Sequence, residues 1–252
     1  MMNALYSAAT GMMAMQSGMD LIAQNLANVN TTGYKSSRMT FEDLLYTQIG
    51  DQNGSTQVGM GVSPGRTQLE FKQGDFREDA SKTAMGIDGA GFFQVILPNG
   101  DIGYTRDGHF LPDANGQLVT SAGYTLEPSV VIPVTVDPES IKINATGTVT
   151  GTLKGESTIL GQIQLAKFVN PAGLFALGSN TYAASNNSGP AQVDDPGTNG
   201  MGILRQNYTE GSNVSVMTEM VDMITAQRAF ESVSKVLSSS DEMLSMANSI
   251  RR

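Results

Sequence analysis

Leu5, Ala8, Met12, Met15, Met19, Ile22, Leu26 and Val29 follow one another at alternating intervals of three and four residues, and all eight are apolar. That spacing is the stripe of an α-helix packed along a partner. It predicts a helix of roughly 37 Å at about 1.5 Å per residue. An ordinary two-stranded coil flanks such a stripe with Glu and Lys. Here Asp20 is the only charged side chain before Lys35, and the flanks are Ala9, Ala14, Ala23 and Ala27 with Gly11, Gly18 and Asn25. A helix so poor in charge has more than one face to bury, so several neighbours are expected. Gly11 and Gly18 each cost about 1 kcal/mol of helix propensity, and packing has to supply the order they remove.

The other end of the chain answers the first. Val216, Met223, Ala226, Phe230, Val233, Leu237, Leu244 and Ala247 repeat the spacing, with Glu219 and Ser240 as its two polar interruptions. Ser215, with Glu219 close behind, reads as the helix start. Matching stripes at opposite ends predict helices that pair with each other and with further copies of the chain. A hairpin closed within one monomer is the simpler alternative. Near the first exit, Asn30-Thr31-Thr32-Gly33 ends the pattern. Asn25 and Asn28 stand three apart on one surface, suited either to fixing register against another backbone or to preparing that exit.

The composition excludes several function classes. The 252 residues carry 15 basic and 24 acidic side chains, a net charge of −9, and only Arg251 and Arg252 are adjacent basic residues. A phosphate backbone has no basic patch to engage, so nucleic acid is not expected as a partner. No Cys is present, which removes disulfide frameworks, thiolate zinc sites and cysteine nucleophiles. Ala4 to Met15 has the length of a signal core but no basic residue ahead of it. Gln16, Asp20, Gln24 and Asn25 interrupt any membrane span. Export without a cleaved signal, and no membrane insertion, are the expectations.

The fold class is α+β, with long terminal helices forming a coiled-coil-like layer and a β-rich module between them. The boundaries are an N-terminal assembly helix over 1–33, an arm and Gly-rich connector over 34–75, the β-rich module over 76–202, a returning strand over 203–215 and a C-terminal assembly helix over 216–252. Tyr34 to Ile49 permits a short helix or an irregular packed arm, and Gly50 to Gly65 reads as an extended connector. Beyond Thr67, short apolar runs alternate with turn residues. Gly91 to Leu97 is a buried strand, Pro98-Asn99-Gly100-Asp101 a hairpin turn and Asp113-Ala114-Asn115-Gly116 a second turn. Tyr104 to Leu111, Gln117 to Thr120, Val130 to Val136, Ile141 to Asn144, Thr148 to Leu153 and Ile159 to Val169 are further strand candidates. Asn180 to Gly202 reads as surface loop, and Ile203 to Glu210 as one strand.

Candidate chemistry is sparse. His109 is the only His and has no Cys beside it to form a metal or nucleophile pair. Asp194-Asp195 and Asp241-Glu242 are adjacent carboxylates, which point apart on a regular element. Asp113 opens a pattern like a calcium loop, but its twelfth position is Tyr124. No phosphate loop is present, and no cofactor is expected. The 15 Met residues include Met12, Met15, Met19 and Met223 on the stripes, where flexible thioethers fill unequal gaps.

Leu21 to Lys35, read as Leu-Ile-Ala-Gln-Asn-Leu-Ala-Asn-Val-Asn-Thr-Thr-Gly-Tyr-Lys, resembles the N-terminal signature of the rod and hook proteins of the bacterial flagellum, with Gln24 where a smaller polar residue is more usual. Gly89 to Val95, Tyr104-Thr105-Arg106-Asp107-Gly108, Asn115 to Thr120 and Gly123-Tyr124 are similar to the family's β-module. Ser212-Asn213-Val214 and Glu219 to Phe230, with Ala226-Gln227-Arg228-Ala229-Phe230, are similar to its C-terminal signature, Phe230 replacing the usual Tyr. The length, the arm Phe41 to Tyr46 and Gly59-Met60-Gly61-Val62 most resemble the distal rod branch, with the proximal rod branch as alternative. The resemblance implies an open helical polymer of this chain. It further implies export through the flagellar type III apparatus and a place from the periplasm to the outer membrane. The implied neighbours are other rod proteins, the hook protein or a hook-side adaptor, and the ring bushing of the peptidoglycan and outer membrane. Leu5, Met12, Met15, Met19, Ile22, Asn25, Leu26, Asn28, Val29, Met223, Ala226, Gln227, Phe230, Val233, Leu237 and Leu244 are the expected assembly residues. A secreted adhesin-like oligomer and an envelope enzyme acting on glycans through Asp194 and Asp195 are the competing classes.

Overall fold

The computed structural model describes residues 2–49, 56–153 and 155–250. Two compact units emerge. One is helical, built from both ends of the chain and Ser37–Leu69, and the other is a β unit of Asn28–Ser36 and Glu70–Asn213.

In the helical unit, α1 spans Met2–Ala27 and α2 spans Val216–Ile250. α1 stops where the polar run begins. The Thr31 N–H closes a turn on the Asn28 carbonyl, and Gly33 takes φ 67°, a conformation that glycine adopts without a Cβ penalty. Asn28 and Val29 therefore lie beyond the helix, not on its stripe. α2 opens with the Glu219 N–H donating to the Ser215 carbonyl, as the sequence-level start signal requires.

The arm is neither helical nor irregular. Ser37–Asp43 pairs antiparallel with Val62–Leu69, with a bulge between Met39 and Phe41, and Tyr46–Ile49 pairs with Thr56–Gly59. Met39 and Phe41 alternate with Arg38, Thr40 and Glu42, and that two-residue period outweighs the weaker helical reading. Much of the expected connector is thus strand, although residues 50–55 lie outside the described residues. Pro64 stands opposite Phe41 just past the bulge, a position that tolerates its missing donor. The ribbon packs on α1: Gly18 faces the Phe41 ring, and a Cβ at Gly61 would overlap the Thr10 hydroxyl.

The β unit is organised around a nine-stranded sheet. Its centre is Phe92–Ile96, paired with Ile102–Thr105 on one side and Thr125–Glu127 on the other. Phe92, Phe93, Gln94 and Val95 are all buried, so this strand is covered on both faces. The expected Pro98 to Asp101 turn forms, with Gly100 at φ 86° and the Leu97 N–H donating to the Asp101 carbonyl. Met85, Ile87, Phe93, Phe110, Leu118 and Leu126 lie in one contiguous core. A three-stranded sheet of Lys142–Ile143, Thr148–Leu153 and Glu156–Gln162 adds Val149 to it.

Several strand expectations change. Val130 to Val136 forms only an isolated bridge at Val131 before turning, because Pro133 interrupts it. Ile159 to Val169 divides between Glu156–Gln162 and Leu165–Lys167, and the Asn180 to Gly202 loop contains the strands Thr181–Ala183 and Gln192–Asp194. Ile203 to Glu210 is two strands, Ile203–Gln206 and Tyr208–Glu210, separated by Asn207 at φ 64°. The break lets the first strand pair with Met85–Asp88 and the second with Phe76–Glu78. Asn207→Gly is expected to keep or slightly raise stability, whereas Asn207→Val should lower it by roughly 1–2 kcal/mol in urea denaturation followed by circular dichroism.

Candidate assembly surface

The two helices pack against each other within the helical unit. Leu5, Met12, Met15, Met19, Ile22 and Leu26 are half-buried along α1, as are Met223, Ala226, Phe230, Val233 and Leu237 along α2. Gln227 is exposed, Asn28 and Val29 are half-buried in the turn after α1, and the side chain of Leu244 lies outside the described residues. Ala14 is the one hydrophobic residue fully buried in either helix among the described residues. The opposite side of α2 is bare: Met217, Met220, Val221 and Ile224 are 78%, 51%, 58% and 52% exposed. Four large apolar side chains within two turns form a patch of the kind that marks an interaction surface.

Register within the unit is held by Asn25. Its amide Nδ2 donates to the Ser37 carbonyl at 3.0 Å and to Glu219 Oε1 at 3.2 Å, while its Oδ1 accepts the Ser37 N–H at 3.0 Å. One buried amide joins the end of α1, the first turn of α2 and the start of the ribbon, so the two helices run antiparallel. Asn28 serves the exit instead, its Oδ1 accepting from the Thr31 hydroxyl. Burial pushes the Glu219 carboxyl above its ordinary value, with Asp222 adding to the rise, while the Asn25 bond and Arg38 oppose it.

The β unit contains a second junction. Lys35 Nζ lies 2.5 Å from Glu210 Oε1, and Arg106 Nη1 lies 3.2 Å from Glu210 Oε2. The Lys35 and Glu210 side chains are wholly buried and that of Arg106 nearly so. The Gly74 N–H also donates to Glu210 Oε1, Lys35 Nζ donates to the Lys72 carbonyl, and Arg106 Nη2 donates to the Gly89 carbonyl. Among the described residues Arg106 Nε has no hydrogen-bond partner, but its guanidinium lies 5.2 Å from the centre of the Phe92 ring. Burial pulls the Lys35 ammonium and the Arg106 guanidinium below their ordinary values, with the Glu210 charge opposing both shifts.

The chain crosses between its two units at four points, and the β-unit residues at three of them, Ser36, Glu70 and Asn213, bind one another. Asn213 Oδ1 accepts the Ser36 N–H at 2.8 Å, Asn213 Nδ2 donates to the Glu70 carbonyl at 2.7 Å, and the Glu70 N–H donates to the Ser36 carbonyl at 2.8 Å. Gly33 is pinned beside them, its N–H on the Glu210 carbonyl at 2.7 Å. A Cβ there would sit 2.5 Å from the Asp107 nitrogen. Lys35, Arg106, Glu210 and Asn213 were absent from the sequence-derived site. Lys35, Arg106 and Asn213 stand within the quoted motifs, but no periodicity distinguishes Glu210.

Catalytic candidates do not assemble. His109 Nδ1 lies 2.9 Å from Asp79 Oδ2. The Asp79 carboxyl is held low, chiefly by the Ser81 N–H. Asp194 bonds Asn199 while Asp195 accepts from Gln164, so these carboxylates serve different partners. Among the described residues no group of three metal-binding side chains occurs, and no helix is long and apolar enough to cross a membrane.

Three family descriptions match the chain: "Flagella basal body rod protein" over residues 5–35, "Flagellar hook protein FlgE/F/G D1 domain" over residues 86–151 and "Flagellar basal body rod FlgEFG protein C-terminal" over residues 205–250. The flagellar basal-body rod protein FlgG of Borreliella burgdorferi is 44% identical, with 100% of both chains covered. That of Caulobacter vibrioides is 40% identical over 99% of this chain and 100% of the relative. The flagellar basal-body rod protein FlgF of Mesorhizobium japonicum is 31% identical over 97% of each. The chain belongs to the flagellar basal-body rod protein family, a family of structural subunits and not of enzymes.

Two outcomes follow from these junctions. Glu210→Gln strands two buried cations and should cost about 3–5 kcal/mol, whereas Lys35→Met leaves one intact pair and should cost markedly less, both read by urea denaturation. For Glu219, a raised folded pKa means that the fold favours the protonated form. Its contribution to stability therefore falls as pH rises from the ordinary value of 4.5 through the higher folded value. Glu219→Gln should match the wild type at the acid end of that window and become the more stable of the two above it, measured by thermal denaturation across pH.

Proposed function

We propose that this chain is the subunit of the distal segment of the flagellar rod. It polymerises into an open helical tube that carries torque from motor to hook and leaves a lumen for export. The observation that carries this reading is the full-length identity of 40–44% to relatives named FlgG, against 31% for one named FlgF. The bare apolar patch on α2 supports the polymer over a finished monomer, since burial of that surface offsets the ordering of long, glycine-containing helices.

In this reading the terminal helices form a coiled-coil-like layer. Its stripe residues, from Leu5 to Leu26 and from Met223 to Leu237, supply the apolar burial of that layer, and the β unit serves as the wall. The subunit is exported by the type III apparatus without loss of a signal segment, and it assembles between the periplasm and the outer membrane. Its neighbours are other rod proteins, the hook protein or a hook-side adaptor, and the ring bushing. Identical head-to-tail contacts whose rotation does not close produce such a tube.

An epitope tag in the β unit, located by gold labelling of purified hook-basal bodies, is expected on the shaft just below the hook. Label near the inner membrane would assign the proximal rod instead. Met19→Asp or Leu26→Asp should abolish incorporation while the purified full-length variant keeps the β-sheet signal of its circular dichroism, and full-length rods built from either variant would refute the role given to the stripe.

A further inference from the structure

The back of each helix carries its own repeat. On α1, Tyr6, Met13, Asp20 and Ala27 stand seven apart and are all exposed, with Ala23 exposed between the last two. On α2, Met217, Val221, Ile224, Arg228, Glu231 and Lys235 continue at intervals of three and four, and all six are exposed. All of these side chains are exposed, so the two outer stripes lack a cover in the single subunit.

We infer, resting on the polymer reading, that the outer stripe of α2 docks antiparallel on the outer stripe of α1 in a second copy, with Arg228 against Asp20. Charge selects this register. Asp20 is the only charge on α1, and the outer stripe of α2 offers it Arg228 and Lys235 as cations but Glu231 and Glu242 as anions. With Asp20 on Arg228, the same antiparallel register sets Ala27 beside Val221 and brings Ala23 near Ile224. Small side chains on α1 then receive large ones from α2, as interdigitating helices require. Met13 falls beside Lys235, whose methylenes cover the thioether while its ammonium reaches water. Shifting α2 by one turn toward Glu231 would oppose like charges and move Val221 off its alanine.

A second copy is the occupant that fits. Copies related by a screw about a common axis keep their α1 helices parallel, so α2 of one runs antiparallel to α1 of the next. Because the two stripes differ, the contact is heterologous and leaves one of each free at the growing ends.

The absence of Cys makes the contact directly readable. Asp20→Cys combined with Arg228→Cys, and separately Ala27→Cys combined with Val221→Cys, are introduced into the tagged full-length chain, and hook-basal bodies are oxidised and run on non-reducing gels. Both pairs are expected to give ladders of dimers, trimers and longer species that collapse on reduction, while single-cysteine variants give none. In cells, Asp20→Arg or Arg228→Asp should each lower the number of completed rods by about tenfold, and the double exchange should restore it. Tagged protein present in the shaft that yields only monomer bands from both pairs, or a double exchange that fails to rescue, overturns the face assignment and leaves the rod reading intact. A wild-type chain missing from the shaft would remove both.

Discussion

Within the β unit, segments far apart in sequence are tied to one buried carboxylate. Glu210 lies between Lys35 and Arg106 and takes a further bond from the Gly74 N–H. Two cations on one anion, out of reach of water, are made tolerable by the carbonyls of Lys72 and Gly89, which take up further donors, and by the Phe92 ring beside the guanidinium. Such a cluster is a poor source of stability compared with apolar packing. Its value is geometric, because ions demand particular partners and shape-matched methyl groups do not.

That specificity falls where the chain needs it. Lys35 lies in the segment after α1, Glu210 closes the strand before α2, and Arg106 directly follows the sheet strand Ile102–Thr105. The three segments are distant in sequence and are brought to one point. Asn213 repeats the device one step outward, its half-buried amide joining Ser36 and Glu70 through backbone groups. Asn25 performs the corresponding task in the helical unit, where a single side chain meets both Ser37 and Glu219. Polar residues fix register in each unit, and apolar ones supply the bulk of the burial.

Elements with strong local grammar were legible in the sequence. The α1 and α2 stripes, the Pro98 to Asp101 turn and the Thr148–Leu153 strand follow from period, capping and turn chemistry. The Tyr34 to Ile49 arm was not, since its mixture of Phe41, Leu44, Leu45 and charges suits more than one period, and pairing with Val62–Leu69 decides it. Glu210 was invisible for a related reason. A single acidic residue at the end of a strand looks solvent-facing until the segments carrying its cations fold around it. The stripe itself held an ambiguity that sequence cannot resolve, because a 3-4 repeat marks a face to be buried without naming the partner.

Burial within one chain is uneven. The stripe residues of both helices are only half-buried, and another side of α2 keeps Met217, Met220, Val221 and Ile224 in water. A helix pair with Gly11 and Gly18 in one member, little charge on that member and an uncovered apolar stripe on the other is marginal alone. On the polymer reading this marginality is functional. A subunit whose helices were fully satisfied within the chain would gain nothing by joining a shaft, whereas one that leaves a stripe bare on each helix folds its ends most completely when a neighbour arrives. Coupling the ordering of the helices to their docking also discourages premature association, since the apolar surface is correctly arrayed only once the inner register is set by Asn25.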